Sequence, residues 1–345
     1  MKPWVKKAGF YFLFFLIGVI VLALALNLTG CCLNLSAWVT SSTDTGQQAE
    51  ETTSVTTDSV LTSQTAAEET TAVQTGETTA KDDLSIKIKA DFDKLIAEGA
   101  DTPELFSFLD ANIKDADTGT ITYMVGEMIR ISEDKKFDFT DKFTKGKIQE
   151  KIYKELGESY EVDMQILAAS TDVELKPLID ETISRKYKIL AVEGFFMPLV
   201  DYAAYGIYAG SIDAELNEFI SIYLDESTRP AVMDAGIVIP MEDFLIRIDK
   251  GFKYLEQYPG SPRYKQVNKF NGGRLNAYLG GIDNNPVFDM DGKIYPERLA
   301  EFENFASQYQ GTKLGDTLTS YIELLNQEGF KRTASVDDFL QKLYG

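Results

Sequence analysis

Residues 241–257 read MEDFLIRIDKGFKYLEQ, and this stretch decides the fold class of the chain. Its apolar side chains recur at the i, i+3, i+4 and i+7 spacing of one helix face: Met241, Phe244, Leu245, Ile248, Phe252 and Leu255. A buried β-strand would instead show alternation with a period of two. The stretch therefore predicts an amphipathic helix with one face in a core.

The same helical spacing recurs on both sides of this stretch, from residues 88–96 to residues 314–325. Strand patterns are few: residues 235–239 form one short apolar run, and residues 287–294 are compatible with a small hairpin. We therefore predict an all-α, multi-helix domain of packed αα-hairpins, with at most a small β-hairpin near residues 287–294. A subdivision, if there is one, is expected within residues 226–240, where prolines interrupt the helical pattern.

Capping residues predict where some of these helices begin and end. In the triplet Thr102-Pro103-Glu104, we expect a Thr cap, a proline at the first helical position and an acid in the first turn. Ser335 and Asp338 resemble a capping pair for the last helix. Gly99 is the expected end of the helix that carries the 88–96 stripe.

The C-terminal half contains a faint internal repeat, in which Tyr258-Pro259-Gly260-Ser261 aligns with Tyr309-Gln310-Gly311-Thr312. Each segment ends one helix and precedes the next, as at the corner of an αα-hairpin. The segment YLEQYPGSP at residues 254–262 is similar to helix-pair corners in tetratricopeptide-like repeats of bacterial envelope lipoproteins. The resemblance covers this one corner and implies stacked helix pairs that are repeat-like in the C-terminal half.

Residues 1–30 have the parts of an export signal. Three lysines precede residue 8, and residues 8–26 are apolar and carry no charge. The segment Leu28-Thr29-Gly30-Cys31 then resembles the lipobox of bacterial lipoproteins. This resemblance implies lipid attachment to the Cys31 thiol, cleavage just before it, and acylation of the new N-terminus, for example with palmitate.

A second interpretation of the leader stays open. Its apolar run is closer to a spanning helix of about 20 residues than to a signal-peptide core of about 7 to 15. The residues after the cleavage site, Cys32 and Leu33 among them, are also unusually apolar for a processed lipoprotein. In this alternative, residues 1–30 are an uncleaved, single-pass signal anchor. Both interpretations place the rest of the chain on the extracytoplasmic face of the cell membrane.

Residues 31–82 are predicted to be a disordered tether rich in Thr, Ser and Glu. Between residues 40 and 80, fourteen residues are Thr and five are Ser, and no residue is aromatic. Such a segment buries too little apolar surface to offset the entropy lost on ordering. The tether would join the membrane anchor to an extracytoplasmic helical domain at residues 83–345.

The composition excludes several kinds of chemistry. The chain has no histidine, and its two cysteines, Cys31 and Cys32, belong to the anchor. Catalysis by Ser-His-Asp or Cys-His, zinc sites built from His or Cys, and haem bound through His are therefore excluded. A net charge of −20 disfavours nucleic acid as a partner. We predict no cofactor and no metal.

The first candidate site is residues 187–208, the most aromatic part of the exported chain. It contains two carboxylates and two tyrosines that we take as candidate ligand-binding residues: Glu193, Asp201, Tyr202 and Tyr205. We expect an interrupted helix here, in which rings stack on a peptide or sugar and acids orient it. The alternative is that these aromatic rings pack in the core of the all-α domain.

Two other segments have weaker patterns. Residues 289–294 match inner positions of an EF-hand calcium loop, but Val287 and Arg298 occupy the two end positions, where acidic ligands are needed. We therefore expect a polar turn there. Glycine pairs at 272–273 and 280–281 lack the order of a phosphate-binding loop.

These patterns predict a membrane-anchored, extracytoplasmic binding or scaffold lipoprotein of the bacterial envelope. Its partners would be the membrane, through the lipid or an N-terminal helix, and another envelope protein or a cell-wall component. The alternative is a lipoprotein that captures a small molecule, peptide or cell-wall fragment for a transporter or sensor. A hydrolase that uses Glu193 and Asp201 is the weakest interpretation, so we do not expect an enzyme.

Overall fold

The computed structural model describes residues 71–343. The predicted leader, the lipobox and most of the predicted tether, at residues 1–70, lie outside the described residues. The described part folds into thirteen α-helices and two small antiparallel hairpins, so the predicted all-α class is confirmed. Within residues 71–343, no helix combines the length and the apolar character that crossing a membrane requires.

The first part of the fold contains seven helices and one hairpin. Its elements are α1 (Thr71–Ala97), α2 (Thr102–Asn112), α3 (Thr118–Thr140), a 3-10 turn (Asp141–Thr144), α4 (Ile148–Glu155), α5 (Met164–Ala168), α6 (Leu175–Ser184), β1 (Tyr187–Val192), β2 (Phe195–Val200) and α7 (Ala203–Gly206).

The second part begins with a long helix and contains the shorter hairpin. Its elements are α8 (Ala214–Thr228), β3 (Val232–Met233), β4 (Gly236–Ile237), α9 (Met241–Gln257), α10 (Tyr264–Gly280), α11 (Pro296–Gln308), α12 (Lys313–Gln327) and α13 (Ala334–Lys342).

The first helix begins earlier than the composition indicates. α1 starts at Thr71, so it includes residues 71–82, which the composition assigns to the tether. Its apolar stripe is buried at Ile88 and Phe92, as the spacing predicts. Gly99 follows the helix with a φ of 83°, a conformation that glycine adopts without a steric penalty.

Two predicted N-terminal caps are displaced. The cap of α2 is Asp101, whose carboxylate accepts a hydrogen bond from the amide of Thr102 at 2.9 Å. The cap of α13 is Thr333 and not Ser335, which lies inside the helix. In both cases the actual cap is a residue just upstream of the predicted one. It has an oxygen-bearing side chain and the extended backbone conformation that a cap requires.

The largest strand pairing lies at residues 187–200, where an interrupted helix was expected, and that expectation is wrong. β1 and β2 pair antiparallel over six residues each, from Tyr187 with Val200 to Val192 with Phe195. The predicted segment at residues 287–294 forms a single bridge, between Phe288 and Ile294. The short apolar run at 235–239 contributes β4, which pairs with β3.

Buried apolar side chains form two clusters along the chain. The first cluster contains side chains from α1 to α8 and from the β1–β2 hairpin, and the second extends from residue 231 to α13. Helices α9 and α10 contribute to both clusters, through Tyr254 and Phe270 in the first and Ile248 and Leu275 in the second. One helix pair therefore joins the two cores.

Both predicted corners lie between consecutive helices. Residues 258–263 connect α9 to α10, and residues 309–312 connect α11 to α12. The two helices of each pair pack against one another, as in αα-hairpins. Thr312 caps α12, because its hydroxyl accepts a hydrogen bond from the amide of Gly315.

Candidate functional site

The structure separates the two candidate carboxylates. Glu193 lies exposed in the β1–β2 turn, whereas Asp201 follows Val200 at the opposite end of the hairpin. The carboxylate of Asp201 lies 3.4 Å from the ammonium group of Lys188. A strand of six residues spans about 20 Å, whereas paired catalytic carboxylates of glycosidases lie about 5–9.5 Å apart. The two acids therefore do not flank one substrate bond.

The two candidate tyrosines lie together in the core. Tyr202 is 2% exposed and Tyr205 is 0% exposed, and their ring centroids are 6.3 Å apart. The Tyr202 hydroxyl donates to Glu133 at 3.0 Å, and the Tyr205 hydroxyl shares a hydrogen bond of 2.8 Å with Ser132. Burial raises the pKa of both phenols. Both side chains thus attach the hairpin region to α3.

The segment that partly matches an EF-hand forms a hydrogen-bonded turn. The Asp289 carboxylate accepts hydrogen bonds from the amides of Asp291 and Lys293, at 2.9 and 2.8 Å. These hydrogen bonds close the turn, as expected for a polar turn instead of a calcium loop. Across residues 71–343, no group of three or more Cys, Asp or Glu side chains is arranged to hold a metal ion.

The glycine pairs belong to α10 and its end. Gly281 ends the helix with a φ of 82°, and Arg332 donates to the carbonyl of Gly280 at 3.3 Å. The pair at 272–273 lies within the helix, one residue before the buried Arg274. The first pair is helical and the second ends the helix, so neither lies in a phosphate-binding loop.

Arg274 takes part in a buried ionic cluster that joins α8, α9 and α10. The Glu226 carboxylate accepts hydrogen bonds from Arg247 at 2.9 Å, from Arg274, and from the amide of Ala231 at 2.6 Å. The Glu226, Arg247 and Arg274 side chains are 3%, 8% and 1% exposed. Burial lowers the pKa of Arg274, which also lies 4.0 Å from the Phe270 ring centroid. Because the cluster is closed to solvent, its role is to position helices.

The best candidate site is a groove of about 740 Å³ between α3, α8 and the start of α10, which we call the interhelical groove. One face of α3 forms a wall, with residues spaced three or four apart: Gly119, Thr122, Gly126, Ile129 and Glu133. The second wall comes from α8 and from the first residues at α10: Glu215, Phe219, Arg263, Gln266 and Lys269. The lining therefore combines charged side chains with the apolar side chains of Ile129 and Phe219.

Arg263 is the central polar group of the groove. Its Nη1 donates to Glu215 at 2.6 Å, and its guanidinium carbon lies 5.4 Å from the Phe219 ring centroid. Its Nη2 lies against Gly126, where a Cβ atom would be 2.3 Å away. Among the described residues, none accepts a hydrogen bond from Nη2. Gly126 thus leaves the space that the guanidinium occupies.

Glu215 fixes the position of Arg263 from the opposite side. Its second carboxylate oxygen accepts hydrogen bonds from Tyr254 and, at 2.7 Å, from Ser261. Both donors belong to the predicted corner between α9 and α10. Burial raises the pKa of Tyr254, and so does its hydrogen bond to Glu215. Tyr254 and Ser261 therefore hold the Glu215 carboxylate in place, and Glu215 holds Arg263.

Glu133 is the acidic group towards one end of the groove. It lies two helical turns from Gly126 on the same face of α3, a rise of about 10 Å. It accepts hydrogen bonds from Tyr202 at 3.0 Å and from Lys136 at 2.6 Å, and its side chain is 19% exposed. A carboxylate has about four acceptor positions, so it can take a further donor.

The charges that line the groove are mixed. They comprise five acids (Glu127, Glu133, Asp134, Asp213 and Glu215) and three bases (Arg130, Arg263 and Lys269). The Arg130 side chain pairs with two of these acids along α3. The excess of acids disfavours polyanions, and the walls suit a ligand that carries both signs of charge.

The sequence patterns do not predict this groove. One signal was available, because a glycine within a long helix costs about 1 kcal/mol relative to alanine and indicates a close approach. Gly126 is such a residue, but its partner Arg263 is distant in the chain. Compared with protein families, curated proteins and solved structures, the chain matches none of them. The geometry of the groove therefore carries the functional conclusion.

Proposed function

We propose that the chain is a membrane-anchored, extracytoplasmic binding lipoprotein of the bacterial envelope, and that its ligand occupies the interhelical groove. The lipobox resemblance of Leu28-Thr29-Gly30-Cys31 supports the anchor. The Thr-rich composition before residue 71 supports a tether. Both features would hold the helical domain outside the membrane while leaving it able to reach ligands.

The observation that carries the proposal is the arrangement of Arg263 against Gly126. A guanidinium whose Nη1 is fixed by Glu215 has little conformational entropy left to lose when a ligand binds in the groove. The helix surface opposite lacks a side chain at Gly126, and the guanidinium packs into the space that this leaves.

The groove volume favours a small ligand. Sites for small molecules typically have volumes of about 300–1,000 Å³, and the groove falls in this range at about 740 Å³. Capture of a small molecule, peptide or cell-wall fragment for a transporter or sensor is therefore better supported than a purely flat scaffold contact. The scaffold interpretation, with an envelope protein as the partner, is the second candidate, and the packed αα-hairpins favour it.

Thermal unfolding of the full chain in detergent tests this proposal. The protein is titrated with calcium, muropeptides, oligosaccharides and short peptides. A ligand at 100 times its Kd adds about 2.7 kcal/mol, which raises the Tm by several degrees. We expect one class to raise the Tm, and Gly126→Ala to remove that rise, because the new methyl group displaces the Arg263 guanidinium.

Gly206→Ala is the matched control, since a Cβ at this helical glycine meets nothing within 4 Å. The control should respond to the ligand as the wild type does. A rise in Tm that persists unchanged in Gly126→Ala would place the ligand elsewhere. If no class raises the Tm, capture of a small ligand is contradicted, and crosslinking on intact cells would then test the scaffold candidate.

A further inference from the structure

We propose that the α9–α10 pair is a hinge about which the second core tilts against the first, and that a hydrogen bond between Asp234 and Glu193 holds the two cores in a closed arrangement. This inference concerns motion of the fold and does not depend on a ligand in the interhelical groove. Three features carry it: glycines where the two cores meet, an unpartnered oxygen between the helices, and a strained turn that contains Asp234.

Both helices pass from one core to the other over a short distance. In α9, Ile248 packs in the second core and Tyr254 in the first. In α10, Phe270 packs in the first core and Leu275 in the second. The two cores therefore meet between these residues, within two turns of each helix. We call this part of the helix pair the hinge level.

Three glycines lie at the hinge level. Gly251 is in α9, and Gly272 and Gly273 are adjacent in α10. A glycine inside a helix loses more backbone entropy than an alanine, and helices bend at such positions. The middle of α12, whose buried apolar side chains belong to the second core, contains no glycine. The helix pair that joins the cores is therefore least stable where they meet.

The contact between the two helices at the hinge level is polar. The Asn271 side-chain amide donates to the carbonyl of Ile248 at 3.0 Å, and it lies against Gly251, where a Cβ atom would be 2.4 Å from its oxygen. That oxygen is buried and accepts no hydrogen bond from any described residue. A buried acceptor without a donor costs free energy, because it has lost its hydrogen bonds to water. A tilt that admits water at Asn271 recovers part of this cost.

Glu226 supplies a fixed point for the tilt. The chain first enters the second core at Ala231, whose amide donates to the Glu226 carboxylate at 2.6 Å. The same carboxylate accepts hydrogen bonds from Arg247 of α9 and Arg274 of α10. The three passages of the chain between the cores are thus held together at one place. The cores can therefore tilt about this cluster without separating.

A cavity beside the hinge level leaves room for the tilt. Its volume is about 340 Å³, and it lies between α10, α12 and α13. Asn268 and Gly272 line it from α10, and Thr317 and Phe339 line it from the second core. Close-packed protein interiors resist deformation, so a tilt requires unfilled space of this kind. The tilt would change the width of this cavity.

The strained turn joins β3 to β4, whose apolar side chains pack against the second core. Asp234 and Ala235 have φ values of 48° and 55°, a region that is costly for residues other than glycine. Asn284 holds this backbone, since its amide donates to the Ala235 carbonyl at 2.9 Å and its side chain donates to the Asp234 carbonyl. Strain of this kind persists only where surrounding groups impose it, and it is frequent at switch regions. The turn therefore presents the Asp234 carboxylate in a fixed position.

The Asp234 carboxylate accepts a hydrogen bond from the Glu193 amide of the β1–β2 turn, at 2.9 Å. The β1–β2 hairpin packs in the first core, so this bond joins the two cores outside the helix pair. Both residues are exposed, and one hydrogen bond of this kind shifts an equilibrium by about tenfold. The bond is therefore strong enough to favour the closed arrangement and weak enough to open.

Hydrogen exchange at residue resolution tests the inference on the full chain in detergent, with no ligand added. Helix ends normally fray, whereas helix middles are protected. We expect an exception in α10, where amides 271–276 should exchange about tenfold faster than amides 318–322 in the middle of α12. The reason is that two glycines weaken this turn of α10. Equal protection of the two segments would overturn the inference.

A glycine substitution tests the hinge itself. Gly273→Ala should slow the exchange of amides 271–276 about fivefold, since alanine stabilises the helix and this position is partly exposed. Gly206→Ala is the matched control, because its Cβ meets nothing within 4 Å and α7 lies outside the hinge level. The control should leave these amides unchanged. Equal effects of both substitutions, or no effect of Gly273→Ala, would contradict a glycine hinge.

Substitutions of Asp234 test the bond that closes the hinge. Asp234→Gly removes the carboxylate and keeps the turn, because glycine adopts a positive φ freely. It should speed the exchange of amides 271–276 about tenfold, although Asp234 hydrogen-bonds to Glu193 and Asn284, which lie outside α10. Asp234→Asn keeps an acceptor oxygen and should match the wild type.

Two results with Asp234→Gly would overturn the inference. Faster exchange that is confined to residues 192–195 and 233–236 would show that the bond acts only on its own turns. Equal acceleration of amides 318–322 would show that the bond stabilises the whole fold and closes no hinge. Acceleration at 271–276 without a change at 318–322 is the result that supports a tilt between the cores.

Discussion

At the scale of single residues, two sets of ion pairs differ in their access to solvent. Glu226, Arg247 and Arg274 are closed off from water and satisfy one another. Arg263 and Glu215 are each 16% exposed and line the groove. Exposure, and not the chemistry of the pair, separates the structural ion pairs from the candidate binding group.

Removing Glu226 should destabilise the fold strongly. In Glu226→Gln two buried arginines lose their carboxylate, and breaking a buried pair from one side typically costs about 3–5 kcal/mol. Urea unfolding of the full chain measures the change in the free energy of unfolding. Asp243→Asn is the control, because its pair with Arg229 is exposed and such pairs contribute about 0–1 kcal/mol. Equal effects of the two substitutions would contradict a structural role for the cluster.

At the scale of elements, the long amphipathic helices could be predicted, whereas the β1–β2 hairpin could not. Helical spacing is a local property, and every stripe that the sequence shows is helical in the structure. The hairpin has aromatic and branched residues, but its turn is Glu193-Gly194 instead of the common Asn-Gly, and β2 contains Pro198. Gln149 of α4 holds the strand in place, since its side-chain amide bonds both the amide and the carbonyl of Phe196.

The turn of this hairpin gives a paired prediction. Glu193 has a φ of 49° and Gly194 a φ of 75°, a region that costs most residues about 1–2 kcal/mol. Glu193→Gly should therefore raise the free energy of unfolding by about 1 kcal/mol. Gly194→Ala should lower it by about 1–2 kcal/mol. Thermal unfolding of both variants measures whether the free energy of unfolding rises or falls in each. Changes of the same sign would show that backbone conformation does not control this turn.

At the scale of the whole molecule, the sequence predicts the organisation better than the site. Composition and periodicity predict an all-α domain of helix pairs, and the two corners lie where the repeat places them. Of the candidate site residues, Glu193 lies in a turn and Asp201 follows a strand, whereas Tyr202 and Tyr205 lie in the core. Aromatic rings at helical spacing usually pack in the core of an all-α protein. The interhelical groove combines Gly126, Glu215 and Arg263, which are distant in sequence. Their proximity depends on how three helices pack, which no local pattern encodes.

The last prediction concerns the anchor. The adjacent residues Cys31 and Cys32 allow two matched substitutions to be compared. The lipobox resemblance assigns the lipid to Cys31 and not to Cys32, and requires cleavage after Gly30. Cys31→Ser should abolish fatty-acid labelling in a bacterial host and leave a precursor that keeps residues 1–30. Cys32→Ser should be labelled and processed like the wild type, since its thiol lies one residue beyond the cleavage site. Labelling that survives Cys31→Ser would contradict the lipoprotein interpretation. An unlabelled wild-type chain that keeps its N-terminus would instead support a spanning signal anchor, whose apolar run of about 20 residues can cross the bilayer.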